Sequence, residues 1–177
     1  MDRQPTPQPA PPIADGVDHA LDPRVIPMRR TVGWITAAFV ALGTFIVLLA
    51  ALVTARGMPG WLRVVLPLLW LGVVLVRVWQ AHWWPVLQYQ HTRYRVDDQR
   101  VEIRRGVYFR VVITVPRSRV QHTDVSQGPI ERRYGLGTLV VYTAGTDHAM
   151  VALSGLEHGL ALRIREHFLP AEASDAV

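Results

Sequence analysis

The side chains of this 177-residue chain with the clearest capacity to bind a partner are its arginines. All 19 basic residues are arginine, and residues 92–170 hold twelve of them against eight acidic residues. Four lie within seventeen residues, near the ends of predicted strands or in turns: Arg117, Arg119, Arg132 and Arg133. Each arginine beside an anionic leaflet is worth about 1 kcal/mol. These four residues are our candidate surface for anionic lipid headgroups or a protein partner.

Three interpretations of this basic surface remain open. It is a solvated face with local ion pairs to Asp124 or Glu131, a face that orients a domain on anionic lipid, or a specific headgroup or peptide site. A basic domain beside a membrane favours anionic headgroups over nucleic acid. We therefore expect no nucleic-acid partner.

The other reactive side chains predict no catalytic residue, metal site or cofactor. The chain has no cysteine, which excludes disulfides, thiol catalysis and thiolate metal ligands. Two Glu-His pairs, at 157–158 and 166–167, are nine residues apart and fall on opposite sides of the predicted final helix. The glycines at 135 and 137 lack the third glycine of a dinucleotide-binding loop. We expect a protein that is not an enzyme.

Residues 31–55 predict a first transmembrane helix. These 25 residues contain no charge, and a bilayer core of about 30 Å needs about 20 helical residues. Trp34 lies where an interfacial aromatic residue belongs.

Residues 61–84 predict a second transmembrane helix. Only thirteen uncharged residues, 64–76, separate Arg63 from Arg77, so each arginine must extend toward its nearer interface. Trp79, Trp83 and Trp84 then form an aromatic belt at one end. A re-entrant or interfacial helix is the alternative. Arg77 either snorkels in this way, which the tryptophans favour, or marks a conduction path.

Arginine placement predicts that both termini are cytoplasmic. Residues 56–60 are a turn rich in glycine and proline, which leaves no room for a domain between the spans. Five arginines flank the outer ends of the two spans, against two at the turn. Positively charged residues stay on the cytoplasmic side.

After residue 92 the hydrophobic period changes from helical to alternating. The pattern predicts strands at 93–96, 100–105, 107–115, 120–126, 138–143 and 148–153, with a turn at 144–147. Ser154 and Glu157 form a capping box that begins a terminal helix, whose packing face carries Leu156, Leu160, Ile164 and Phe168. The fold class is α+β: a transmembrane hairpin, then a small barrel or bent sheet closed by a C-terminal helix.

The two chain ends are predicted to lack structure. The first twelve residues include five prolines, do not begin as a signal peptide, and have almost no large apolar side chain. The predicted organisation is a disordered tail (1–20), a basic juxtamembrane segment (21–30), helix one (31–55), helix two (61–84), a β domain (92–169) and a disordered tail (170–177).

This order of elements resembles that of pleckstrin-homology domains. The segment VPRSRVQH (115–122), continued by VSQGPIERRYGLGTL (125–139), looks like the signature of the bacterial pleckstrin-homology-like domain. With the hairpin in front, residues 21–169 resemble the YdbS-like membrane proteins of bacteria. The resemblance implies a multi-pass protein of the bacterial cell (inner) membrane, without established enzymatic activity; likeness to eukaryotic phosphoinositide-binding domains is an analogy of fold only.

Two functions from different classes remain. The first is a non-enzymatic, membrane-anchored interaction or scaffold module at the cytoplasmic face, whose partner is a second copy or a related membrane protein. The second is a subunit of an oligomeric transport or export complex, which needs several copies because two helices cannot enclose a pore.

Overall fold

The computed structural model describes residues 14–54, 57, 59–144 and 150–168. The proline-rich start, Arg56, most of the predicted turn at 144–147 and the tail at 170–177 lie outside these ranges. Nothing in the structure bears on those expectations.

Two long apolar helices form an antiparallel hairpin. Helix α1 is Val25–Thr54 and α2 is Gly60–Gln90, and both are long and apolar enough to cross a membrane. At the domain side α1 begins six residues before the predicted span and α2 ends six residues after it. At 1.5 Å per residue each helix continues about 9 Å beyond the predicted span. The same helices that match the membrane spans therefore also enter the β domain.

The first sheet contains four antiparallel strands in the order β1-β2-β3-β4. They are β1 (Asp18–Ala20), β2 (Arg93–Val96), β3 (Arg100–Arg105) and β4 (Val111–Pro116). The predictions for β2 and β3 are confirmed. Residues 1–20 were predicted to be unstructured, but residues 18–20 form strand β1. These three residues have no alternating pattern, and they are a strand because they pair with β2.

The predicted strand at 107–115 is wrong in its first four residues. Arg105 pairs with Val111, so residues 106–110 form the connecting loop. Gly106 has a φ of 127°, a conformation that glycine adopts readily. The alternating residues at 107–110 therefore belong to an exposed loop and not to a strand. The side chains of Tyr108 and Phe109 in this loop are 80% and 86% exposed.

The second sheet has the order β5-β6-β7. Its strands are β5 (Val120–Ser126), as predicted, β6 (Leu136–Thr143) and β7 (Met150–Glu157). A short helix absent from the prediction, α3 (Pro129–Tyr134), connects β5 and β6. It begins with a hydrogen bond from the Gly128 N–H to the Glu131 carboxylate (2.8 Å).

The predicted capping box of the last helix is wrong. Ser154 lies in β7 opposite Thr138, and helix α4 (His158–Phe168) begins after Glu157. Leu156 is buried from the strand rather than from the helix. Hydrogen bonds to β6 pair the backbone of this segment and make it a strand. The capping pattern is local in sequence, so it could not predict this pairing with a distant strand.

One hydrophobic core joins the two sheets, α4 and the first turn of α1. Leu21, Val25 and Met28 are buried in it together with residues from both sheets, and Ile164 and Phe168 contribute the face of α4. Among the described strands there are two separate sheets and no closed barrel. This agrees with the bent-sheet form of the predicted fold.

Candidate functional site: a basic surface and a cleft beside the helices

Arg132 and Arg133 lie beside the helical hairpin. Both occupy the last turn of α3 and are exposed. The next residue, Tyr134, has its hydroxyl group 2.8 Å from that of Thr31 on α1. Thr31 is the first residue of the predicted span, so this pair of arginines sits at the level where that span begins.

Arg117 and Arg119 lie at the opposite end of the domain. They belong to a single 3-10 turn that follows β4, and both are exposed. The Arg117 N–H donates to the Gln99 carbonyl (2.7 Å), and the Arg119 carbonyl accepts from the Ala144 N–H (2.9 Å). Strand β4 separates this turn from the 106–110 loop by about 20 Å, at about 3.3 Å per residue. The four candidate arginines thus form two separate pairs.

Glu131 and Asp124, the expected ion-pair partners of the candidate arginines, contact other residues. The Glu131 carboxylate accepts hydrogen bonds from the Gly128 N–H and from the Thr138 hydroxyl (2.7 Å). Asp124 faces His122, with 3.9 Å between the oxygen and Nε2. In the part of the chain that is described, none of the four arginines is in an ion pair. No carboxylate therefore neutralises these charges, although the Arg117 guanidinium lies 5.8 Å from the centre of the Phe168 ring.

Contacts between α1 and β7 fix the domain on the hairpin. The Asp22 N–H donates to the Gly155 carbonyl (3.1 Å). A Cβ on Gly155 would come within 2.6 Å of Val25 Cγ2. Asp22 also accepts hydrogen bonds from Arg24 Nε (3.0 Å) and Nη2 (2.7 Å), and this interaction lowers the pKa of the Asp22 carboxyl. The helix enters the domain through a packed and hydrogen-bonded junction.

Two adjoining cavities, which we call the cleft, lie where the hairpin meets the domain. Their volumes are about 580 and 440 Å³. Four residues line both cavities: Arg29 on α1, Trp84 and Gln88 on α2, and Ser154 on β7. The half-buried Arg29 donates from Nη1 to the Gln88 side chain (3.1 Å).

The two cavities differ in chemical character. The larger one is walled mainly by apolar residues of both helices, among them Val32, Ala37 and Val40, and also touches Arg77 and Glu131. The smaller one contains Arg105 and reaches the aromatic loop, where the Tyr108 ring lies 5.9 Å from the Trp84 ring.

The cleft was not found from the sequence. In the sequence, Arg29 is one of the five arginines that flank the outer ends of the predicted spans, and Arg105 is the last residue of a predicted strand. Arg29, Arg105 and Ser154 are far apart in the sequence, and no known motif has this spacing. The one feature of the sequence that pointed to the cleft was a cationic residue just outside an apolar span.

The described residues contain no group of three or more His, Asp or Glu side chains that could hold a metal ion. His122 stacks on Tyr142 with 4.1 Å between ring centroids, and His19 contacts Asp15 at 3.0 Å. The exposed arginines and the apolar walls of the cleft are suited to binding anions and apolar groups.

Two long apolar helices that carry a domain of two small sheets, closed by a terminal helix, define a membrane protein with a pleckstrin-homology-like domain. Residues 24–169 match the bacterial PH domain family, and the chain belongs to that family.

The chain is also similar to the UPF0699 transmembrane protein YdbS of Bacillus subtilis (strain 168), with 36% identity over 95 residues. The similarity spans 54% of this chain and 58% of that protein. No solved structure matches. The predicted resemblance to YdbS-like membrane proteins is confirmed.

Proposed function

We propose that this protein is a non-enzymatic interaction module, anchored in the bacterial cell membrane by both helices with its two termini in the cytoplasm. The observation that carries the proposal is the burial of Val25 and Met28, residues of α1, in the core of the domain. A domain that shares its core with a membrane helix cannot rotate freely on a linker. It presents fixed faces toward the leaflet and toward the cytoplasm.

The two pairs of arginines take different roles in this arrangement. Arg132 and Arg133, level with the start of the predicted span, contact anionic headgroups. Arg117 and Arg119 face the cytoplasm and bind an acidic surface of a protein partner, either a second copy or a related membrane protein. Tethering in the membrane raises the local concentration, so a weak contact suffices.

Matched double variants test this division. A photo-crosslinking residue is placed at Ser118, between Arg117 and Arg119, and the mass of the crosslinked species is measured in native membranes. We expect R117Q/R119Q to reduce the crosslinked species severalfold, because both charges leave that face. R132Q/R133Q removes the same charge beside the hairpin and should leave it unchanged. Equal yields for both variants would refute the proposal.

A second candidate function, a subunit of an oligomeric transport or export complex, is favoured by Arg77. This residue and Gln80 form a hydrogen bond (3.3 Å) and are exposed on α2, within a helix otherwise suited to lipid. Polar side chains at such positions are commonly buried against another helix. The same crosslinking experiment separates the two functions, because a ring of four or more copies supports transport and a single partner supports the module.

A further inference from the structure

The cleft has an apolar arm and a cationic arm. The apolar arm runs between α1 and α2, where Val32, Ala37 and Val40 line one side and Ala81 and Pro85 the other. The polar or charged side chains of Arg77, Gln80 and Glu131 also line this cavity. The cationic arm lies against the domain and contains Arg29 and Arg105. Trp84 and Gln88 line both arms, so the two are continuous.

The cationic arm carries charge without a neutralising group. No acidic residue is among the side chains that line the smaller cavity. Within the described residues Arg29 has a neutral hydrogen-bond partner, Gln88, and Arg105 has no side-chain ion pair. Arginine remains protonated in proteins, so the half-buried guanidinium of Arg29 favours an anion, and the exposed Arg105 adds a second positive charge. A phosphodiester accepts paired N–H donors from guanidinium groups, as a carboxylate does.

The position of the cleft decides which anion fits. Arg29 precedes the predicted first span by two residues, and the apolar arm extends from it along the span. A small soluble anion would occupy the cationic arm and leave the apolar arm without an occupant. A phospholipid places its phosphate at the arginines and an acyl chain between the helices.

We propose that this cleft binds one anionic phospholipid, with its phosphate between Arg29 and Arg105 and one acyl chain between α1 and α2. Trp84 and Tyr108 flank the headgroup. The inference rests on the proposed function only in placing the junction of helices and domain at the leaflet surface. The bound lipid fills the space between the hairpin and the domain.

Native mass spectrometry of the full chain tests the proposal. The protein is delipidated in detergent and then mixed with phosphatidylglycerol or phosphatidylcholine. We expect one phosphatidylglycerol to stay bound at collision energies that remove phosphatidylcholine. R29Q/R105Q should weaken its binding by about tenfold or more, because two charge-assisted contacts are lost. R117Q/R119Q, with the same loss of charge at the far end, should bind as the unaltered chain does.

A second variant tests the apolar arm with both arginines intact. Ala37→Trp fills the space between the helices and should also remove the bound lipid, and this variant decides the question if R29Q/R105Q does not fold. Equal retention of both lipids, insensitivity to both variants, or full competition by glycerol phosphate would overturn the proposal. The crosslink at Ser118 is independent of the lipid, so failure here is distinct from failure of the proposed function.

Discussion

At the scale of single residues, Gly155 determines how closely α1 approaches the domain. Its φ of 93° is a conformation that side chains with a Cβ rarely adopt. A Cβ there would also be 2.6 Å from Val25 Cγ2. The glycine thus allows the first turn of α1 to enter the core.

We expect Gly155→Ala to lower the free energy of unfolding by about 2–5 kcal/mol, from backbone strain and overpacking together. Gly159→Ala is the control, because this helical glycine has open space around it and alanine favours helix by about 1 kcal/mol. Denaturant unfolding of the purified protein in detergent measures both. Equal effects of the two substitutions would show that α1 does not pack as described.

The exposed aromatic loop is a second feature at this scale. Phe109 is 86% exposed at the tip of the 106–110 loop, beside the Tyr108–Trp84 pair. Aromatic side chains with this exposure are favoured in the interfacial layer of a bilayer. The loop is therefore suited to enter the headgroup region.

We predict that residue 109 contacts lipid when the protein is in a bilayer. The chain has no cysteine, so Phe109→Cys can be labelled alone with a polarity-sensitive dye. Its emission should shift to the blue on transfer into anionic vesicles. The same dye at Ser118→Cys, at the far end of the domain, should not shift, and identical behaviour at both sites would contradict the prediction.

At the scale of elements, two contacts set the geometry of the hairpin. Trp70 donates from Nε1 to the Thr44 hydroxyl (3.0 Å), near the middle of both predicted spans. Nearer the domain, a Cβ on Gly33 would lie 3.1 Å from Ala81 Cβ. Small residues allow helices in a membrane to approach closely, and such interhelical hydrogen bonds contribute about 0.6 kcal/mol.

Gly33→Leu should separate the helices and reduce stability in detergent by about 1–3 kcal/mol, because the added side chain overpacks the crossing. Gly43→Leu is the matched control on the same helix, where nothing lies within 4 Å of the added Cβ. Thermal unfolding followed by tryptophan fluorescence measures both. A control that is as destabilised as Gly33→Leu would argue against this crossing.

At the scale of the whole molecule, the junction between hairpin and domain is packed, so the membrane topology of the helices determines on which side of the membrane the domain binds its partners. If both helices cross the bilayer, the domain and the first turn of α1 share one side of it. The turn at 56–60 then lies on the other side. The orientation is a proposal that a direct measurement decides.

We expect a membrane-impermeant maleimide to label Gly57→Cys in intact spheroplasts and to leave Ser118→Cys unlabelled. The physical reason is the excess of arginine on the domain side of the helices. Lysed spheroplasts, in which both sites are accessible, provide the control for reactivity. Labelling of Ser118→Cys before lysis would place the domain outside and refute the proposed topology.

Much of the architecture was predictable because it depends on local pattern. An uncharged run longer than the bilayer core identified the first helix. A shorter uncharged run, with tryptophans and arginines near its ends, identified the second, and alternation identified β2, β3 and β5. The terminal helix was expected from Ile164 and Phe168, which recur at helical spacing and are buried. Family membership was also accessible, since the motif between residues 115 and 139 is continuous in sequence.

Only the tertiary structure decided the rest, because it depends on contacts between distant segments. Ser154 has the sequence context of a helix cap, yet pairing with Thr138 makes it part of a strand. The candidate arginines are close in sequence but separate into two pairs, because β5 and α3 carry the chain from one end of the domain to the other. Arg29 and Arg105 are far apart in sequence and line one cavity, because the same core holds α1 and β3 together.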